Sequence, residues 1–160
     1  MRVCIVFLSL TLLGCATSPR AQVLRVTDGD TLHVLLSDGT ERNVRIIGID
    51  TPETVHPRKP VQCFGPEASK RMKELAQGKT VELIKREGED EDRYGRLLRY
   101  IMLDGRDLGA LMIEEGFARA YRPFMHPKIR EYRELEQDAR SRRAGLWGKC
   151  LGRSRVTISS

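Results

Sequence analysis

The chain has 160 residues and a mass of 18.2 kDa, which fits one domain able to bury its own core. Hydrophobic residues make up 40% and charged residues 31%, a balance that excludes an intrinsically disordered chain. The formal charge of +6 and a pI near 9.4 favour polyanionic partners, either nucleic acid or an anionic membrane surface.

The first segment is not part of the fold. Arg2 precedes a mostly apolar run without a charge, Val3 to Leu13. A spanning helix needs about 20 apolar residues, so this run reads as a secretion signal, residues 1–14, rather than an anchor. Its ending, Leu12-Leu13-Gly14-Cys15, resembles a bacterial lipobox, in which the cysteine becomes the lipidated first residue after cleavage. An ordinary signal cut near Ala16 or Ala21 is the alternative. Residues 15–21 would then be a short tether and 22–150 the domain, with 151–160 a disordered tail. Export leaves Cys63 and Cys150 in the domain. An even pair in an exported chain suggests a disulfide, with two buried thiols as the alternative.

Val23 to Val26 begins an apolar alternation, and Thr31 to Leu36 reads as a strand. Asp38-Gly39 supplies the turn, and Asn43 to Ile49 returns antiparallel, bringing Asp30 near Asp50. A loop with Pro57 and Pro60 leads to Gly65-Pro66-Glu67, where proline in the first turn starts a helix running to Gly78. Val81–Ile84 is a short strand, 86–92 a charged loop, and Leu97–Leu103 a further strand ended by Asp104-Gly105. Asp107 can cap a helix from Leu108 to Glu115 that stops at Gly116. The spacing then predicts a longer helix over His126–Ala144, with Ile129, Tyr132, Leu135 and Ala139 as its apolar stripe. Strands early and helices late indicate an α+β fold, and five short strands suggest a small closed barrel.

The chemistry sits in three segments. Asp28-Gly29-Asp30-Thr31 and Asp50-Thr51-Pro52-Glu53 supply carboxylates at two strand ends that the hairpin juxtaposes. Asp30 and Asp50 suit a hard cation such as Ca²⁺, although the first segment alone could be a simple turn. Glu53, held at a set distance by Pro52, could take a proton from a water beside the cation, or be an exposed loop carboxylate. Arg45 shares its strand with Ile47 and Ile49, and Arg96 follows the turn Tyr94-Gly95. Guanidinium groups bind phosphate oxygens bidentately and stay charged, or pair with nearby acids such as Asp92. His33, His56 and His126 form no cluster in the sequence and receive no chemical role.

These three segments resemble those of the staphylococcal nuclease family, and the resemblance runs from Val23 to Trp147. Gly65-Pro66-Glu67-Ala68-Ser69 and Gly116-Phe117-Ala118 extend it. It implies an OB-type five-stranded β-barrel with three α-helices, and Ca²⁺-dependent hydrolysis of DNA and RNA that leaves 3′-phosphate ends. By motif position it implies Asp30 and Asp50 as Ca²⁺ ligands, with Thr51 ligating through its carbonyl. Arg45 and Arg96 would bind the scissile phosphate, and Glu53 would be the general base. Arg93 and Tyr94 would hold a terminal phosphate, and Tyr121 would stack on or bond to the nucleotide. Two departures stand out: the stretch from Arg119 to Phe124 is shorter than the family pattern, and the cysteine pair is additional.

The expectation is an exported, monomeric, Ca²⁺-dependent endonuclease with little sequence preference, acting preferentially on single-stranded DNA and RNA. A lipid on Cys15 would hold it to a membrane at the cell envelope. Two aspartates also admit Mg²⁺ or Mn²⁺. The rival readings are a non-catalytic nucleic-acid-binding OB module at the envelope, and a structural lipoprotein whose basic face meets anionic lipid.

Overall fold

The computed structural model describes residues 18–54 and 60–150. The expected signal peptide, Cys15, His56 and the 151–160 tail lie outside the described residues. In chain order the elements are β1 (Arg20–Asp28), β2 (Thr31–Leu36), β3 (Glu41–Ile46), β4 (Ile49–Asp50), α1 (Gly65–Ala76) and β5 (Thr80–Ile84). They continue with β6 (Leu97–Leu103), β7 (Arg106–Asp107), α2 (Leu108–Glu114), β8 (Arg119–Ala120), α3 (Ile129–Ser141) and α4 (Leu146–Lys149). The last two residues of the expected tether, Arg20 and Ala21, are strand residues paired with Glu82 and Val81. Among the described residues no helix is long and apolar enough to cross a membrane.

Five strands make the barrel, in the order β3-β2-β1-β5-β6, each antiparallel to its neighbour. Closure is by a parallel ladder between β3 and β6, with Val44, Arg45 and Ile46 opposite Leu97, Leu98 and Arg99. Closure removes the open edges that a five-stranded sheet would otherwise expose. The alternation in β2 and β3 points Leu32, Val34, Val44 and Ile46 inward, all fully buried with Val23, Leu83 and Ile101. Each large aliphatic side chain so buried contributes about 1.5–3 kcal/mol. Met72 from α1 and Met112 and Ile113 from α2 cap the same core.

The expected strand Asn43–Ile49 is broken. It ends at Ile46, and Gly48 turns the chain with φ 80° before β4. A Cβ at Gly48 would lie 2.5 Å from the His126 ring and 2.9 Å from the Tyr132 ring, so the turn and the close approach both require glycine. α2 begins as expected: Asp107 Oδ1 accepts from the amides of Gly109 and Ala110. Its Oδ2 accepts from the Tyr132 hydroxyl at 2.8 Å and Lys128 Nζ at 2.5 Å, which ties α3 to the cap.

α3 is shorter than the spacing predicts, beginning three residues after His126, beyond Pro127, and ending at Ser141. Its buried positions are Tyr132, Glu136 and Ala139. The Glu136 carboxylate lies in the buried stripe because Arg122 and Arg140 each donate to it at 3.1 Å. A fourth short helix, α4, follows Gly145 and buries Leu146 and Trp147.

Candidate active site

The site is built where the barrel closes. Arg45 Nη1 donates to the Ile46 carbonyl at 2.6 Å and Nη2 to the Ile49 carbonyl at 2.9 Å, so the guanidinium fills the bend made by Gly48. The same Nη2 stands 3.1 Å from Asp30 Oδ2 and 3.9 Å from Asp50 Oδ1. Asp30, buried in the β1–β2 turn, also accepts from the Thr51 amide and hydroxyl, each at 3.1 Å, and from the Thr31 hydroxyl at 3.0 Å. The Asp50 side chain is 48% exposed. Partial burial pushes its carboxyl up, the Asp30 charge adds to this, and Arg45 and Arg119 pull the other way.

Glu53 is near enough to Asp50 for its charge to push that carboxyl further up. Its amide donates to Gln62 Oε1 at 3.1 Å, and the Gln62 amide donates back to the Glu53 carbonyl at 2.9 Å. Gly65 opens α1 against this bracket, so closely that a Cβ there would stand 2.7 Å from Thr54 Cγ2 and 3.0 Å from the Glu53 carbonyl oxygen. Next to Gln62, Cys63 is bonded to Cys150 in a disulfide that ties the bracket to the end of α4. The Glu53 side chain lies beside Asp28. Burial pushes the Asp28 carboxyl up and the neighbouring Glu53 adds to it, against donors from Gly29, Ser69 and Thr54.

The third segment forms the opposite wall. Asp92 Oδ2 accepts from Arg96 Nε at 2.7 Å and lies 2.6 Å from Nη2, while Oδ1 accepts from the amides of Tyr94 and Arg96. Burial pushes the Asp92 carboxyl up, but the Arg96 side chain and these amides outweigh it and hold it below the usual carboxylate range. Arg93 lies over the Tyr94 ring, 4.9 Å from its centroid, and donates to its hydroxyl. Tyr121 faces them, its amide bonded to the Gly48 carbonyl at 2.8 Å and its ring 5.9 Å from the Arg45 guanidinium. Between the walls runs a groove of about 920 Å³ lined by Arg45, Asp50, Arg93, Tyr94, Arg96 and Tyr121.

The family profile described as "Staphylococcal nuclease homologue" matches residues 43–149. The chain belongs to this family. It is 40% identical over 127 residues to Endonuclease YncB of Bacillus subtilis (strain 168), covering 78% of this chain and 60% of that protein. It is also 40% identical over 127 residues to the SPbeta prophage-derived endonuclease YokF of the same organism, covering 78% of this chain and 43% of that one. The thermonuclease of Staphylococcus hyicus is 37% identical over 138 residues, 84% of this chain and 79% of that one. The chain thus spans less than two thirds of each of the two Bacillus proteins.

In this member of the staphylococcal nuclease family the residues singled out in the sequence converge unevenly. Arg45, Asp50, Arg93, Tyr94, Arg96 and Tyr121 share the groove. Asp30 and Thr51 join them through Arg45 and through their own hydrogen bonds. Glu53 lies beside Asp28 and acts on Asp50 through its charge. Sequence reasoning gave no role to Asp28 or Gln62, although Asp28 opens the first acidic segment.

Among the described residues no three His, Cys, Asp or Glu side chains form a ready cage for a metal. Asp30 and Asp50 nevertheless offer hard oxygen donors, and the field of Asp30 on Asp50 is one that a cation would relieve. These two carboxylates fit a divalent cation, with water completing its shell.

Proposed function

We propose that the chain is a phosphodiesterase, an endonuclease that depends on a divalent cation, with Ca²⁺ as the working ion. Its substrates are DNA and RNA, preferentially single-stranded, and its products carry 3′-phosphate ends. The observation that carries this reading is the meeting, at one closed seam, of Arg45 and Asp50 with Arg96 across a groove. The two endonucleases and the thermonuclease among its relatives support it.

The cation, when bound by Asp30, Asp50 and Thr51, would supply Lewis-acid stabilisation of the phosphoryl oxygens. Arg45 is pinned by two carbonyls and Asp30, so it needs no reorganisation to meet negative charge developing on a phosphate. Asp92 holds Arg96 by Nε and Nη2, which leaves Nη1 without a partner among the described residues for a phosphate oxygen. Glu53 is the base that takes the proton from the attacking water, and the Gln62 bracket fixes its backbone for that step. Arg93 and Tyr94 hold a terminal phosphate, and Tyr121 stacks on a base.

The same proposal has the chain exported and held at the cell envelope as a monomer, by a lipid on Cys15. A non-catalytic binding module is the second reading, favoured by the Asp92–Arg96 pair, which already occupies one guanidinium.

The deciding experiment is cleavage of single-stranded DNA by the oxidised chain with Ca²⁺, with Mg²⁺ and with EDTA, beside the Arg45→Ala/Arg96→Ala variant. Ca²⁺-dependent cleavage that disappears in the variant is the expected result. A folded chain that binds the strand without cutting it would leave only the binding module.

A further inference from the structure

The groove has a wall that the catalytic reading leaves unused. Phe124 and Met125 line it beside Tyr121, and they are 61% and 78% exposed. The Phe124 and Tyr121 rings are neighbours, with centroids 5.8 Å apart and planes tilted by 44°. The pair is held firmly at both ends. Tyr121 is bonded through its amide to Gly48, and His126 is buried with its ring bonded to the Tyr100 hydroxyl at 3.1 Å. Pro123 and Pro127 restrict the backbone between and beyond.

The facing wall, residues 86–96, is charged. Its acids are largely matched: Asp90 with Arg99 and Lys85, Glu91 with Arg42, Asp92 with Arg96. Glu87, Glu89, Arg86 and Arg93 have no ion-pair partner among the described residues, so these remaining charges balance. One wall therefore presents charged groups, the guanidinium groups of Arg86, Arg93 and Arg96 among them, and the other an apolar, partly aromatic surface. A single nucleic-acid strand has the same division, with phosphates along one edge and ring faces on the other. A duplex hides its ring faces in the stack.

We infer that Phe124 and Met125 form a stacking subsite for an unpaired base, one step along the strand from the base at Tyr121, and so select single strands. This rests on the nuclease reading and adds a specificity-determining surface to it.

The test uses the full oxidised chain in EDTA, with end-labelled oligothymidylate and a duplex of equal length, read by fluorescence anisotropy. Phe124→Ser/Met125→Ser should weaken single-strand binding about 5- to 100-fold and change duplex binding by less than about twofold. Both side chains are exposed, so the melting temperature should hold. Phe124→Trp gives an independent readout: its indole fluorescence should be quenched by the single strand and not by the duplex. Equal losses on both ligands, or no loss, would overturn the subsite while leaving the nuclease reading in place. A wild-type chain that neither binds nor cleaves the strand would overturn both.

Discussion

Replacing both Cys63 and Cys150 by serine should cost the fold several kcal/mol, and the size follows from connectivity. The bond joins residues 87 apart in sequence, so it closes most of the domain into one ring. In the chain-entropy treatment a ring of this size removes about 15 cal/mol/K from the unfolded ensemble, or ~4.6 kcal/mol at 25 °C. A domain of about 130 residues unfolds with an entropy near 0.27 kcal/mol/K, so the melting temperature should fall by roughly 17 °C. Thermal and urea melts of the oxidised chain and the double variant, at one pH and ionic strength, read this directly. Hydrogen exchange at the Gln62 amide, which faces Glu53, reports whether the bond also orders the bracket in the folded state. A loss below about 1 kcal/mol would refute the reasoning, because the reduced chain would then have little freedom left to gain.

Three further expectations follow from particular contacts. Glu53→Gln and Arg96→Ala should each lower kcat by about 10²–10³-fold with little change in melting temperature, and near-native turnover in either would remove that residue from the site. Gly48→Ala should destabilise by about 2 kcal/mol or more, since its φ is +80° and its Cβ would meet the His126 ring at 2.5 Å; a melt within a degree of wild type would contradict this. His126 is held below its usual 6.5 by burial, then by the charges of Arg86 and Arg133, with Tyr100 and Tyr132 against its ring. The unfolded chain therefore takes up the proton more readily. Stability is full above about pH 6.5 and falls as pH drops toward the lower folded value, by at most about 1.4 kcal/mol per pH unit. Urea melts at a series of pH values should show this slope in the wild type and lose it in His126→Gln.

Where an apolar run met a clear local turn or cap signal, the structure was legible in the chain. β6 occupies Leu97–Leu103, the apolar run that the Asp104-Gly105 turn ends, and Asp107 caps α2 as expected. The disulfide followed from compartment and parity rather than from geometry. Three features were hidden because partners distant in sequence decide them. The break at Gly48 exists because the rings of His126 and Tyr132 need the space, and those residues lie some eighty positions away. Glu136 breaks the apolar stripe of α3 because Arg122 and Arg140 neutralise it. Asp28 looks like a turn residue until Ser69 and Thr54 arrive to bond it. The site residues of the groove were recognisable as residue types at motif positions, but the division of the groove into a charged and an apolar wall needed the folded chain.

The parallel β3–β6 ladder has a meaning for how the protein comes into being. Arg45 is on β3, opposite Leu98, and Arg96 immediately precedes β6. The meander of β1, β2 and β3 can form from near neighbours, whereas the last ladder joins segments about fifty residues apart and pays its loop-closure entropy late. The two arginines acquire their spacing only when that seam zips. Assembly of the reaction centre and completion of folding are then one event, and a half-made barrel would be inert toward any phosphodiester it met.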